Sequence, residues 1–213
     1  MGYKLPLTET ATEDAPDLIT DVALGAAATP DSQSLPEIQK RLGERGLQPT
    51  LPLADPGYTT GSTLKKSADA GISLLGPVSP GTPRTASRFG PEAFKVTPET
   101  QEATCPNGDP ALPWASRHRW EGGGATFVIT WDRAACGVCP LRSPCLTEKQ
   151  THRRLTLSEH YSLLDARRQE QTTETFRRSY RRRNGIEATF SPLVNVLDGR
   201  QTPYRGKAKT LLH

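Results

Sequence analysis

Between Gly76 and about Arg119 the chain is so dense in Pro, Gly, Ser and Thr that no single hydrophobic core is expected to run through its whole length. Proline withholds a backbone donor, glycine is entropically costly to order, and no apolar period stands against them. The stretch reads as an insertion or mobile loop, not as a second core. Composition agrees, with 19 Pro and 18 Gly among 213 residues and an apolar content of only 34%. The expected organisation is a folded scaffold from residues 1–76 and 151–213, interrupted by a loop-rich insertion over 77–150.

Local patterns fill in the scaffold. Tyr3 to Thr10 alternates as a strand would, with Pro6 confining it to an edge or a bulge. Leu18 to Leu24 is a second strand candidate. Asp31, Ser32 or Ser34 could cap a helix in which Leu35, Ile38 and Leu42 recur at helical spacing until Gly46 stops it. Strands over Leu51–Asp55 and Ile72–Leu75 flank a short helix at Ser62–Ala70, giving the order β-β-α-β-α-β. Thr126 to Trp131 is the clearest strand, and Arg154–Leu157 could add another. A long helix is predicted from Ser158 to about Asn184, with Glu159, Arg167, Glu170, Glu174 and Arg178 on its solvated face. A second helix runs from near Ile186 to Val196, and a basic tail follows.

Charge is unevenly spread. Residues 151–213 hold 13 Lys and Arg against 6 Asp and Glu, a net charge of +7, whereas the first 150 residues sum to −3. Such a basic third suits a polyanion, since Lys and Arg displace the counterions that phosphates condense. A solvated helix face explains it equally well by itself. No run approaches the roughly 18 apolar residues of a membrane span, and no basic-then-apolar leader opens the sequence. A cytoplasmic, nucleoid-associated protein with no membrane partner is expected.

The block Tyr180-Arg-Arg-Arg-Asn-Gly-Ile-Glu187 carries the sharpest chemical signal. Glu187 lies among arginines and beside Ile186 and Phe190, so its charge needs either an Arg partner or a cation. Tyr180, Arg183 and Glu187 recur at three- and four-residue intervals, so a helix would set phenol, guanidinium and carboxylate on one face.

Tyr, two residues, Arg, three residues, Glu resembles the signature around the last catalytic carboxylate of bacterial insertion-sequence transposases of the DDE type. Further segments are similar to that family in the same order. They are Gly2-Tyr3-Lys4-Leu5 with Thr8-Glu9-Thr10, Leu18-Ile19-Thr20, Ala54-Asp55-Pro56-Gly57-Tyr58, Cys139 to Cys145, and Tyr204 to Lys209. The resemblance implies an α/β, RNase H-like fold, a mixed sheet with flanking helices, carrying a cysteine-bearing insertion. It implies DNA transposition by metal-dependent strand cleavage and transfer. Asp55 and Glu187 would be catalytic ligands of Mg²⁺ or Mn²⁺, hard cations that take oxygen donors. Arg183 would contact phosphate, and Tyr180, Arg177, Arg178, Arg181, Arg182, Arg205, Lys207 and Lys209 would help hold the DNA of transposon ends and target. Active members of the family work as oligomers.

The family's first catalytic Asp belongs on a strand just before the Gly2-Tyr3-Lys4 segment, where this chain begins. The expectation is therefore an N-terminally truncated domain, inactive or impaired, and Asp14, Asp17 and Asp21 are not placed to substitute. Pro56 replaces the small residue usual after the second Asp, and Val194 stands where related signatures carry a basic residue.

Cys136-x₂-Cys139-x₅-Cys145, with Cys105 some thirty residues earlier, supplies four thiolates for a tetrahedral Zn²⁺, and His118 or His152 could replace one ligand. Reduced loop thiols are the plainer reading, and no Cys-His pair with an orienting acid suggests a nucleophile. The alternative to a recombinase is a non-enzymatic, zinc-containing nucleic-acid-binding module built on the insertion and the basic helix.

Overall fold

The computed structural model describes residues 2–12, 15–79, 89–118, 124–196, 199, 201, 203–204 and 206–212. The chain divides into two compact units, Met1–Val78 with Arg167–His213, and Ser79–Ala166. Small antiparallel sheets and helices make a mixed α/β organisation in which the described ladders stay separate.

In the first unit, β1 (Tyr3–Lys4) and β2 (Leu7–Glu9) are one extended run divided at Pro6. They pair antiparallel with β4 (Gly25–Ala26) and β3 (Ile19–Val22) respectively. Pro6 interrupts the ladder because it has no N–H, yet its carbonyl still accepts from the Ala23 amide at 3.0 Å. The edge-strand expectation thus resolves into two short ladders in a single hairpin.

Helix α1 (Asp31–Glu44) buries Leu35, Ile38 and Leu42, the three residues whose spacing predicts it. It stops at Gly46, whose φ of 67° lies in the left-handed region that favours glycine. Leu47 N–H then reaches Leu42 C=O at 2.8 Å and Gly46 N–H reaches Gly43 C=O at 3.0 Å, the paired bonds of a Schellman stop. Helix α2 (Gly61–Asp69) starts on a reciprocal cap between Thr60 and Thr63 and ends with the same two bonds from Gly71 and Ile72. Around α2 the two expected strands shrink to one parallel bridge, Leu53 to Leu75, bounded by bonds of 2.9 Å from Ala54 and Leu75. A strand–helix–strand crossover forces parallel pairing, and here it lasts only one bridge.

The second unit departs from the expectation of a stretch without a core. It contains β5 (Lys95–Thr97) and β6 (Glu102–Thr104) as a hairpin. A three-stranded antiparallel sheet follows, of β7 (Ala115–His118), β8 (Ala125–Thr130) and β9 (Arg154–Ser158). The short helices α3 (Arg133–Val138) and α4 (Arg142–Cys145) complete it before α5 (Tyr161–Glu170), which runs across the boundary between units. Phe94, Ala103, Ile129, Trp131, Leu146, Leu155 and Leu157 form a buried cluster. Trp131 stacks obliquely on Phe94 at 5.0 Å and donates its indole N–H to Asp109 C=O at 3.1 Å. These apolar residues are scattered between turn residues, and only the hairpins bring them together. The Pro- and Ser-rich residues 80–88 lie outside those described.

The long helix predicted from Ser158 to Asn184 is divided. Ser158 ends β9, α5 closes at Glu170, and α6 (Glu174–Arg181) starts afresh. The cause is local. Thr172 and Thr173 turn their hydroxyls onto Gln169 C=O and Glu170 C=O, both at 2.7 Å, and Thr173 then caps the Phe176 amide. Arg167, expected on a solvated face, is instead mostly buried over Phe176 and donates to Leu74 C=O at 2.9 Å. Downstream, a 3₁₀ turn at Arg182–Asn184 leads into α7 (Gly185–Asn195), and α8 (Lys207–Leu212) lies in the basic tail.

Asp21 pins the first hairpin to α1. Its carboxylate is 6% exposed, accepts from Arg41 at 2.6 Å and has Arg45 at 3.6 Å. Arg41 is about one-third exposed and can rehydrate in part, so removing its partner costs less than a fully buried pair would. Asp21→Ala is expected to lower unfolding stability by about 2 kcal/mol, read as a shift of the urea midpoint.

Candidate active site

The site begins with the helical geometry of residues 174–195. Arg181, Arg182, Asn184 and Gly185 all keep right-handed helical dihedrals, so α6, the 3₁₀ turn and α7 follow one another without an extended break. Tyr180, Arg183 and Glu187 consequently come to one side, as their spacing predicts. A Cβ at Gly185 would stand 2.9 Å from an Asp17 carboxylate oxygen, which would have to turn aside.

Asp55 arrives from the other half of the same unit. It follows the Leu53–Leu75 bridge and opens the turn in which Tyr58 N–H returns to Asp55 C=O at 2.9 Å. Arg183 grips its carboxylate with a two-pronged fork, Nε to Oδ1 at 2.7 Å and Nη2 to Oδ2 at 2.8 Å. The remaining prong, Nη1, reaches Glu187 Oε1 at 3.3 Å. One guanidinium therefore offsets the repulsion between two carboxylates, in the planar geometry that suits arginine and not lysine. Arg183 is 23% exposed, Asp55 43% and Glu187 71%, so the acids keep oxygen lone pairs facing solvent.

Two phenols border the carboxylates. Burial pushes the Tyr180 phenol above its ordinary value, Arg183 opposes this, and the charge of Asp55 and a hydrogen bond with it add to the rise. Tyr58 is raised by burial first and then by Asp31 and Asp55. Tyr180 stacks on Phe176 with centroids 5.7 Å apart. Asp55, Tyr58, Arg183 and Glu187 line an open cleft of about 880 Å³ that also takes in Glu9 and Phe190. Glu9 accepts from Thr189 Oγ1 at 2.5 Å. Sequence reasoning missed Glu9, Thr189 and Tyr58 as site residues. The only signal was positional, Glu9 within the strand and Tyr58 three residues after Asp55.

Arg177, Arg178, Arg181 and Arg182 are exposed along α6 and the turn after it, and Lys207 and Lys209 are exposed on α8. Arg205 lies outside the described residues, as does Asp14. Asp17 and Asp21, the other nearby acids, meet Gly185 and Arg41 respectively. In the second unit all four cysteines are reduced and line one small cavity. His152 does not line it and instead shares a 3.0 Å hydrogen bond with Thr151. The His118 side chain lies outside the described atoms. Among the described residues no three His, Cys, Asp or Glu side chains are already arranged to hold a metal ion. None of the described helices is long and apolar enough to cross a membrane.

The two raised phenols set a pH signature. A folded value above the unfolded one, near 10, means the native state keeps its protons longer. The associated stability is present below about pH 10 and lost as pH rises through the folded values. Tyr58 and Tyr180 are each expected to give a late component in a 295 nm titration, and each component should vanish in the matching Tyr→Phe variant.

Comparison with protein families matches residues 104–213 to the transposase DDE domain. No curated protein and no solved structure matches the chain. The matched segment contains Tyr180, Arg183, Glu187 and all four cysteines, and it leaves Asp55 outside. Covering more than half of the sequence, this match shows that the chain belongs to the transposase DDE domain family.

Proposed function

We propose that the first unit is an RNase H-like core that takes part in metal-dependent cleavage and transfer of DNA strands, with Asp55 and Glu187 as its acidic ligands. The observation that carries this reading is the clasp of both carboxylates by Arg183 on the wall of one cleft. Membership of a transposase family makes DNA the substrate class.

The residues fit a hard divalent ion. Asp55 and Glu187 offer oxygen donors only, both partly exposed, and Mg²⁺ is commonly held by one or two carboxylates plus waters and substrate phosphates. Mg²⁺ or Mn²⁺ held there would supply activation of a water or a 3′-hydroxyl and stabilisation of the leaving oxygen. The chain's own groups then have distinct tasks. Arg183 keeps two like charges together, and its fork is equally suited to a phosphate. The Tyr180 phenol, kept protonated, orients the Asp55 carboxylate. Arg177, Arg178, Arg181 and Arg182 supply exposed positive charge for the DNA backbone, with Arg205, Lys207 and Lys209 extending it along the tail. In the family's manner, copies of the chain would act together on paired ends.

The test is nicking of supercoiled plasmid in Mn²⁺ alongside salt-dependent DNA binding. Nicking by the unaltered chain is expected to be impaired, and Glu187→Gln and Asp55→Asn are each expected to remove what remains, since each takes away a charged ligand, while leaving DNA affinity within about threefold. DNA binding that is salt-sensitive but indifferent to Mn²⁺ and to both substitutions, with no nicking, would overturn the proposal in favour of a non-enzymatic nucleic-acid-binding module.

A further inference from the structure

The second unit gathers its four cysteines from three separate segments. Cys105 opens the turn after β6, where its N–H bonds Asp109 C=O and its C=O accepts from Gly108, both at 2.9 Å. Cys136 lies within α3 and Cys139 just past its end, and Cys145 closes α4. All four line a single cavity of about 20 Å³. That is of the order of one water, room for one ion and little else.

We propose that this cavity is a structural zinc site in which Cys105, Cys136, Cys139 and Cys145 supply four thiolate ligands to one Zn²⁺. Soft thiolate sulfur in a closed set of four is the chemistry of structural zinc, and no fifth position is left for catalysis. In the thiol form nothing draws the sulfurs together, and Cys105 Sγ turns to the Asp109 carboxylate at 3.4 Å. Rotation of the cysteine side chains into the shared cavity completes the ligand set. Four thiolates around one centre need a cation to compensate them.

The surroundings suit a tetrathiolate of net charge −2. Arg142 donates to Cys136 C=O at 3.1 Å and Arg153 to Cys145 C=O at 3.1 Å, so two fixed guanidiniums hold ligand segments and bring positive charge beside the sulfurs. Both arginines line the cavity, together with apolar Trp131, Leu141 and Leu146. Helices of six and four residues are too short to persist by themselves, and a metal that joins them to the turn after β6 would fix all three segments at once.

The full chain, purified under reducing conditions, is expected to carry one Zn²⁺. Its removal by a chelator should lower the thermal midpoint and expose four thiols to a disulfide reagent. Co²⁺ added to the stripped protein should give sulfur-to-metal charge-transfer bands and the visible spectrum of a tetrahedral site. Cys139→Ser should weaken Zn²⁺ binding by at least about tenfold. If that variant does not fold, the Co²⁺ spectrum of the unaltered chain decides. Substoichiometric zinc, thiols that stay reactive under excess Zn²⁺, an octahedral Co²⁺ spectrum, or a Cys136–Cys139 disulfide formed in place of metal uptake would each overturn the proposal. Zinc uptake unchanged in Glu187→Gln keeps this result separate from the fate of the DNA-cleaving site.

Discussion

One guanidinium shared between two carboxylates organises the first unit. Arg183 and Asp55 are separated by 128 positions, and the fork between them joins the turn after the Leu53 bridge to the C-terminal helices. Without a cation between them, Asp55 and Glu187 would repel at short range in a partly buried cleft. With one, they are held facing the same space. The planar fork also imposes orientation, which a lysine ammonium would not. The helices, the hairpin and α1 serve largely to bring these groups to a single wall.

The parts of this architecture that obey a simple period were legible in the sequence. Leu35, Ile38, Leu42 and Gly46 announced α1 and its stop, and the structure uses all four for those purposes. Tyr180, Arg183 and Glu187 likewise share one side, because α6, the 3₁₀ turn and α7 follow one another without an extended break. Local competition was harder to foresee. Thr172 and Thr173 look tolerable in a helix until their hydroxyls claim the preceding carbonyls, and charge pattern suggested continuity where the backbone breaks. Glu9 was invisible as a site residue because its place on the cleft depends on hairpin pairing and on Thr189, a partner 180 positions away.

The second unit was the least legible region, for a related reason. Its apolar residues follow no period long enough to predict a core, since short hairpins bring Phe94, Ala103, Trp131 and Leu157 together across many turns. Its arginines are also put to unexpected use. Arg153 lies 5.1 Å from the Phe94 ring centroid and ties Cys145 C=O and Phe89 C=O. A count of basic residues assigns such a side chain to a polyanion, whereas here it is an internal tie. Net charge therefore overstates the surface a nucleic acid could use.

The 3₁₀ turn at Arg182–Asn184 has a consequence for angular phase. A 3₁₀ residue advances about 120° and 2.0 Å, against about 100° and 1.5 Å in an α-helix. Three such residues swing everything after them by about 60° and push it about 1.5 Å along the axis. Glu187 follows this overwound turn and Tyr180 precedes it, so the turn acts as a fixed phase shifter between phenol and carboxylate. Relaxing it to regular α-helix would preserve every residue and still turn Glu187 by about 60° relative to Tyr180.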